Sequence, residues 1–363
     1  MVQRNHMPAF EVQTSQRVYS NVVERGILRR VRDYLPTSVG KLFLVTTEDV
    51  WQLYGSTVQA QFRNGELKVL FFPGGEPNKR LAALEQLAEQ MSEHGADRKS
   101  LVIGFGGGIV TDISGFLAAV FMRGVPVLQI PTTLLAQVDA ATGGKTGVNL
   151  RSGKNLIGSF HQPMAVLIDP DVLSTLPVRE YRAGLFEVIK CGVIRDRALF
   201  NLFSEHADEI LSLQPDLVEH LIAGAVRIKA EVVSADEKEG DLRRILNFGH
   251  TIGHALEAET EYSHFLHGEA VAWGMIAAAE LAAILGLLAR EEANRIQEVI
   301  FRFGPLPSAN GLNIDSLLGR LSQDKKTLGG VVHFVLPTTI GQVKIVSNIE
   351  TSAIRSAIEK TLR

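Results

Sequence analysis

The sequence predicts an α/β protein in which an N-terminal, Rossmann-like, doubly wound parallel sheet domain is followed by a mainly α-helical C-terminal domain. Up to about residue 178, short apolar runs alternate with amphipathic segments, and after it most segments are helical in period. The junction at 177–180 carries no flexible linker. We therefore expect one domain over residues 1–178 and a second over residues 179–363.

The first domain is expected to begin with a strand, followed by a helix around Val22 to Leu35. An amphipathic helix, LAALEQLAEQMSEH, should end at Gly95, because glycine accepts the left-handed conformation that closes many helices. Sheet strands are expected at 42–47, at the start of 68–80, where a turn follows, and at 125–131 and 165–170. In such sheets, ligands bind at the carboxyl ends of the strands.

The second domain should consist of helices, with one hairpin near its end. VVHFVLP and GQVKIV form the expected hairpin, and a final helix covers 350–362. The expected helices before them cover 179–205, 215–235, 247–260, 268–287 and 290–303.

Composition excludes several classes of protein. The net charge of −3 over 363 residues argues against a nucleic-acid-binding protein, whose domains are usually basic. The one cysteine, Cys191, excludes an internal disulfide framework and a multi-cysteine zinc site, and it fits a reducing cytoplasm. The N-terminus lacks the apolar core of a signal peptide, and no stretch of about 18 uncharged apolar residues predicts a membrane span.

A glycine-rich turn is the strongest local signal in the first domain. After the apolar run LVI come four glycines within five residues, then apolar residues at helical spacing. Gly104 and Gly106 fit the dinucleotide-binding pattern G-x-G-x-x-G, but Ile109 stands where the third glycine should be. The glycines alone therefore leave a βα turn that binds nothing as an equal alternative. GGKT at 143–146 is not a P-loop, because Asp139 occupies the first glycine position.

Histidines concentrate in the second domain. His250 and His254 lie four residues apart, which places them on one face of a helix, and His264 and His267 follow. Four histidines within 18 residues indicate a metal site, although any single one is more often a solvated or hydrogen-bonded side chain. The pattern is not the H-E-x-x-H of zinc proteases, because Thr251 occupies the glutamate position.

Several long motifs run through the chain: GFGGGIVTDISGF, RGVPVLQIPTTLLAQVDAATGGKTGVN, GKNLIGSFHQP, FEVIK, DEKEGDLRRILNFGHTIGHALE, HGEAVAWGM and DKK at 324–326. Together they resemble the 3-dehydroquinate synthases, a family of sugar phosphate cyclases, over roughly residues 40–340. The resemblance implies a carbon–oxygen lyase of the shikimate pathway of aromatic amino acid biosynthesis. Such an enzyme converts 3-deoxy-D-arabino-heptulosonate 7-phosphate to 3-dehydroquinate and phosphate by transient oxidation by NAD, phosphate elimination, re-reduction and intramolecular aldol closure.

The same resemblance implies Glu187, His250 and His267 as ligands of Zn²⁺ or Co²⁺, a set that leaves one position open for substrate. Glu269 is interpreted instead as an acid in the first turn of a helix, and His264 as a surface residue. Lys145, Lys190, Lys229 and Arg243 would hold phosphate and carboxylate groups. Asp139, Asn155, Asn247 and His254 match further substrate positions.

Arg123 matches a residue that reaches into a neighbouring subunit, which implies a homodimer. The sequence departs from the family at 46–49, near the expected adenosine ribose contact, and at Phe186 and Cys191, which we interpret as packing variants. The positions that match NAD contacts are Gly74, Gly75, Glu76, Lys79, Gly107, Gly108, Ile109, Val110, Asp112, Thr132, Thr133, Lys145, Lys154, Val172, Leu173, Ser174 and Thr175.

Three alternatives remain at this point. Another sugar phosphate cyclase, making an inosose or valiolone ring, would share most of these residues, but GGKTGVN favours the dehydroquinate branch. A metal-dependent NAD alcohol dehydrogenase would release NADH and need fewer cations for phosphate. A non-catalytic NAD-binding regulator would not need the metal and cation set.

Overall fold

The computed structural model describes residues 8–327 and 332–362, without the side chains of 322–327, so the DKK motif lies outside the described side chains. The chain divides into two compact units. The sheet unit comprises Met1–Leu176 and Lys229–Glu237, and the helical unit comprises Pro177–Ile228 and Lys238–Arg363. Among the described residues, no helix is long and apolar enough to cross a membrane.

The sheet unit contains a seven-stranded sheet and a separate hairpin. The strands, in chain order, are β1 (Ala9–Gln13), β2 (Val18–Val23), β3 (Leu42–Thr46), β4 (Leu67–Phe71), β5 (Leu101–Gly106), β6 (Val127–Pro131), the hairpin strands β7 (Lys145–Leu150) and β8 (Gly153–Phe160), and β9 (Ala165–Ile168). The large sheet has the order β1-β2-β9-β6-β5-β3-β4. Adjacent strands in this sheet run parallel, except for β1 and β2, which pair in the antiparallel direction.

Helices cover both faces of this sheet, which confirms the doubly wound α/β prediction. The helices are α1 (Glu48–Gln59), α2 (Leu81–Glu93) and α3 (Gly108–Val120). Along β3, Leu42 and Leu44 pack in the same cluster as Val58 of α1. Phe43 and Val45 face the other way, into the cluster that holds residues of α2 and α3. Such continuous apolar strands are typical of parallel sheets buried on both faces.

Two predictions for this unit were wrong or incomplete. The helix expected from Val22 is a 3₁₀ helix over Ile27–Tyr34, because Val22 and Val23 pair with β9 and left-handed Gly26 precedes the helix. The hairpin of β7 and β8 was not predicted: its glycines interrupt the two-residue periodicity of a strand. The helix at 81–95 was predicted correctly and ends before Gly95, whose φ is +70°.

The helical unit holds the remaining helices and a second hairpin. Asp196 divides the helix predicted over 179–205, because its side chain accepts a hydrogen bond from Leu199 N at 3.0 Å and caps a new helix. The helices are α4 (Val178–Arg195), α5 (Arg197–Glu205), α6 (Ala207–Leu211), α7 (Pro215–Ala235, whose last residues belong to the sheet unit), α8 (His250–Glu259), α9 (His267–Ile284), α10 (Arg290–Arg302), α11 (Ile314–Thr327) and α12 (Thr351–Thr361). The predicted hairpin is present as β10 (His333–Thr339) and β11 (Gln342–Ser347), whereas α11 was not predicted.

Candidate active site

Three predicted metal ligands meet in the helical unit. Glu187 lies in α4, and His250 and His267 are the first residues of α8 and α9. Glu187 Oε1 lies 3.8 Å from His250 Nε2 and 3.7 Å from His267 Nε2. The Glu187 side chain is 1% exposed, whereas that of His267 is 28% exposed. The cluster is therefore buried on the carboxylate side and open on the side of His267.

Glycines bring the three helices together. A Cβ on Gly268 would lie 1.9 Å from the carbonyl oxygen of Ala183 in α4, and one on Gly274 would lie 1.8 Å from that of Gly249. Gly253 of α8 similarly faces Ala270 O, at 3.0 Å from a Cβ position. The start of α9 therefore lies against α4 and α8 at distances that no larger residue permits. The ligand separations follow from this close packing.

The Glu187 carboxylate fits a cation. Within the described part of the chain, neither of its oxygens accepts a hydrogen bond, although the Lys190 ammonium forms an ion pair with Oε2. A buried carboxylate is costly unless charge or hydrogen bonds compensate it. Zinc bound at about 2.0–2.2 Å separates its ligand atoms by about 3.3–3.6 Å, close to the separations found here. These residues therefore fit a divalent metal with three protein ligands.

The other acid and histidines that the sequence singled out lie outside this cluster of three. Glu269 accepts a hydrogen bond from Leu266 N at 2.7 Å at the start of α9, and Arg179 holds the same carboxylate through two nitrogens. His264 is exposed, with Nε2 2.9 Å from Ser308 O. His254 is exposed one turn after His250, and their ring centroids are 5.3 Å apart.

Two predicted substrate residues lie just before α8. Arg243 is 2% exposed in the 3₁₀ helix Leu242–Asn247. Asn247 Nδ2 donates to Glu239 Oε1 at 2.7 Å, and Glu239 itself has a left-handed φ of +63°. The buried guanidinium supplies a cation whose donors lie in a fixed fork.

In the sheet unit, the turn between β5 and α3 has the shape that the glycines predicted. A Cβ on Gly104 would lie 2.1 Å from Ser114 Oγ, and one on Gly106 would lie 2.7 Å from Val110 Cγ2. The strand and helix therefore pack too closely for side chains at these positions. Gly107 precedes α3 and Gly108 begins it, so the first amides of the helix lack intrahelical acceptors. An anion could approach these amides.

A buried lysine joins this turn to the β7–β8 hairpin. The Lys79 ammonium forms an ion pair with Asp112 and donates to Asn155 Oδ1 at 2.6 Å. Burial raises the pKa of the Asp112 carboxyl, and the Lys79 ammonium opposes that shift. Lys154 Nζ lies 4.0 Å from a carboxylate oxygen of Glu76. Four predicted NAD contacts and one predicted substrate residue are thus brought together.

A second lysine, Lys229, pairs with an acid in the segment that follows β6. Thr132 and Thr133 come directly after that strand, and Asp139 lies in the π-helical turn Ala136–Ala140. The Lys229 ammonium donates to both the backbone carbonyl and the carboxylate of Asp139, at 2.6 Å from Oδ1. π-Helical turns often occur at functional sites.

The predicted segment 172–175 is only partly accessible. The side chains of Val172 and Leu173 are buried, at 3% and 0% exposure, so only their backbone could contact a ligand. Tyr54 of α1 holds the segment: its hydroxyl donates to Val172 O at 3.0 Å and lies 2.5 Å from Thr175 Oγ1. Ser174 and Thr175 are exposed.

The last two predicted residues are on the surface. Lys145 is the exposed first residue of β7 and follows two glycines with positive φ. Arg123 is exposed in a turn where Met122, Arg123 and Gly124 all have positive φ. Two consecutive non-glycine residues in this conformation are strained, so the structure presents Arg123 at some cost.

The structure also shows residues that the sequence interpretation missed. Asn149 is buried, donates to Glu76 Oε1 at 2.8 Å and accepts from Asn155 N at 2.8 Å. Glu257 is buried beside His267. Its spacing of seven from His250 and three from His254 places it on the same helix face, which makes it a candidate but does not tell what it contacts.

Comparison with known proteins identifies the family. The 3-dehydroquinate synthase N-terminal model matches residues 69–183, and the C-terminal model matches residues 184–327. A 3-dehydroquinate synthase of Solibacter usitatus is 58% identical over 356 residues, 98% of this chain and 100% of that protein.

Solved structures agree on the fold. The 2-epi-5-epi-valiolone synthase of Streptomyces hygroscopicus, solved with NAD⁺ and Zn²⁺, is 30% identical with a TM-score of 0.88, covering 96% of this chain and 98% of that one. A 2-deoxy-scyllo-inosose synthase with carbaglucose-6-phosphate, NAD⁺ and Co²⁺ is 26% identical with a TM-score of 0.86, covering 98% and 100%. Because both family models match and the likeness to a named synthase extends over nearly the whole length, the chain belongs to the 3-dehydroquinate synthase family.

Proposed function

We propose that this carbon–oxygen lyase converts 3-deoxy-D-arabino-heptulosonate 7-phosphate to 3-dehydroquinate and phosphate, as a homodimer in the cytoplasm. The observation that carries the proposal is the buried Glu187 carboxylate: Lys190 pairs with its Oε2, whereas Oε1 accepts no hydrogen bond from the described residues and faces two histidine nitrogens. Family membership and the likeness to cyclases solved with NAD⁺ and a divalent ion support it.

Glu187, His250 and His267 would hold Zn²⁺ or Co²⁺. A divalent ion there would supply Lewis-acid polarisation of a substrate hydroxyl, which makes the loss of its proton easier at neutral pH. Lys190 lies against Glu187, so its ammonium is next to the place where an anionic substrate would bind. His254, exposed one turn along the same helix face, would contact the substrate.

NAD would bind in the sheet unit and supply a hydride acceptor early in the reaction and a hydride donor later. Gly107 and Gly108 would let the pyrophosphate approach the amides of α3. The buried Lys79 side chain forms an ion pair with the half-buried Asp112 of α3. The remaining proposed contacts are Gly74, Gly75, Glu76, Ile109, Val110, Thr132, Thr133, Lys145, Lys154 and the segment Val172, Leu173, Ser174 and Thr175.

Cations would hold the phosphate and carboxylate of the substrate. Lys145, Lys190, Lys229 and Arg243 are assigned this role, because phosphate and carboxylate need charged donors. Lys229 is held by Asp139, which fixes the direction of its ammonium group. Asn155 and Asn247 would add neutral hydrogen bonds, and Arg123 would reach the neighbouring subunit.

This arrangement suits an elimination that begins with an oxidation. A ketone formed at one ring carbon acidifies the neighbouring C–H, and the electrons of that bond then expel phosphate. Nearby cations would stabilise the negative charge that develops on the departing group. Return of the hydride would leave NAD unchanged over a full turnover.

The test is to incubate the purified protein with the heptulosonate phosphate, NAD⁺ and Zn²⁺ and to follow phosphate release and 3-dehydroquinate. We expect both products in equal amounts, while the absorbance of reduced nicotinamide stays flat. NADH accumulating in step with turnover would instead indicate a dehydrogenase. Turnover of glucose 6-phosphate or sedoheptulose 7-phosphate in its place would indicate an inosose or valiolone synthase.

A further inference from the structure

Glu257 is a buried acid beside the metal cluster but outside the ligand set. Its side chain is 4% exposed, and Oε2 lies 3.2 Å from His267 Nδ1. The opposite nitrogen of the same ring, Nε2, faces Glu187. A hydrogen bond from Nδ1–H to the carboxylate would fix both the tautomer and the rotation of the ring, leaving the lone pair of Nε2 for a metal.

The other histidine of the cluster is held in an equivalent way. His250 Nδ1 lies 3.2 Å from the carbonyl oxygen of Phe248, and its Nε2 also faces Glu187. Each ring therefore has an oxygen acceptor at Nδ1 and directs Nε2 into the cluster. For His250 the acceptor is backbone, whereas for His267 it is a side chain that a substitution can remove.

His267 has the greater need of such a contact. Its side chain is 28% exposed, against 10% for His250, so packing alone restricts its rotation less. Glu257 reaches it from α8 because glycines at 253 and 274 let α8 and α9 approach closely. We propose that Glu257 is a positioning residue that orients His267 for metal binding, an inference that rests on the metal site of the proposed function.

The same residues could instead form a second metal site. His254, Glu257 and His267 offer ligand atoms within 4.8 Å of one another, which could hold a second ion. His267 would then have to give both ring nitrogens to metals and lose the Nδ1 proton. The 3.2 Å between Nδ1 and Oε2 lies within the range of an N–H···O hydrogen bond, which needs that proton, and this favours the hydrogen-bonded arrangement.

The test measures zinc affinity by competition with a chromophoric chelator, together with the number of ions bound per chain and the visible spectrum of the Co²⁺-loaded protein. The variants are Glu257→Ala and Glu257→Gln, and the matched control is Glu259→Ala. Glu259 lies in the same helix but bonds to Ser316 and Arg320, each through Oε2. The melting temperature of each metal-free variant reports on folding.

We expect Glu257→Ala to bind one zinc ion about 10- to 100-fold more weakly than the parent, with an altered Co²⁺ spectrum. Glu257→Gln keeps the length and an oxygen acceptor, so its zinc affinity should lie between those of the parent and Glu257→Ala. It also serves as the test if the alanine variant does not fold. Glu259→Ala should lower the melting temperature but change zinc affinity by less than about twofold.

Four results would overturn the inference. Parent-like affinity in Glu257→Gln and in a folded Glu257→Ala would show that His267 needs no such partner. An equal loss in Glu259→Ala would assign the effect to the helix as a whole. Two ions in the parent, one of them lost in Glu257→Ala, would make Glu257 a ligand. A parent that binds no zinc would overturn the metal site itself and this inference with it.

Discussion

Gly268→Ala should separate the proposed metal ligands by pushing two helices apart. The added Cβ would lie 1.9 Å from Ala183 O, whereas ordinary contacts begin at 3.4 Å, so the start of α9 would have to move by roughly 1.5 Å. His267 immediately precedes this glycine, and its Nε2 would move from 3.7 Å to about 5 Å from the Glu187 oxygen. One ion with bonds of about 2.0–2.2 Å cannot reach both atoms at that distance.

The expected cost has two parts. Overpacking of this kind destabilises by about 1–3 kcal/mol, which lowers the melting temperature by about 2–12 °C for a unit of this size. Losing one of three ligands should weaken zinc binding by at least about 100-fold, or about 2.7 kcal/mol. Calorimetric melting of the metal-free protein measures the first effect, and chelator competition measures the second.

A second glycine provides the control. Gly319 lies inside α11, and no described atom lies within 4 Å of its Cβ position, so Gly319→Ala should stabilise the helix by up to about 1 kcal/mol. Zinc affinity should not change. If Gly268→Ala matched the parent in both melting temperature and zinc affinity, the idea that helix packing sets the ligand separations would be refuted.

Three further outcomes are expected. His250→Ala should abolish turnover and weaken zinc binding while circular dichroism stays that of a folded protein, and full activity without bound metal would contradict the proposed role. Lys145→Met keeps the length of an exposed side chain and removes its charge, so kcat/KM should fall at least about 100-fold at an unchanged melting temperature; a fall below about threefold would contradict it. The hydrogen bond from Arg320 lowers the pKa of Glu259 from its usual 4.5. The pair therefore stabilises the folded state fully above pH 4.5, and this contribution is lost as the pH falls through the lower pKa of the folded state. Urea unfolding between pH 7 and pH 3 should show a smaller pH dependence in Glu259→Gln, and an equal dependence would count against the pair.

Periodicity predicted most of the sheet, because parallel strands buried on both faces are continuously apolar. It failed where two signals conflicted. Val22 and Val23 precede residues with helical spacing, yet β-branched side chains and pairing with β9 place them in a strand. The β7–β8 hairpin was not predicted because glycines interrupt its strand pattern. They are needed where the two strands lie close together: a Cβ on Gly158 would lie 2.0 Å from Thr146 O.

For the site, sequence spacing indicated a histidine cluster but could not select its members. Glu187 lies far from His250 along the chain, so its place among the proposed ligands followed from the family resemblance alone. The distances to both histidines depend on how α4 meets α8 and α9, which is tertiary packing. Glu257 shares the helix face of His250, but nothing in one sequence tells whether such an acid faces a ligand or solvent.

The close packing of α9 against α4 and α8 has a consequence for how the protein acquires its metal. The three proposed ligands come from three helices, and two of them are the first residues of α8 and α9. No short stretch of the chain contains all three, so the complete site cannot form before residue 267 has been synthesised and α9 has packed against α4 and α8. A metal bound by all three residues would stabilise the folded state, so the concentration of free metal would affect how much of the helical unit is folded.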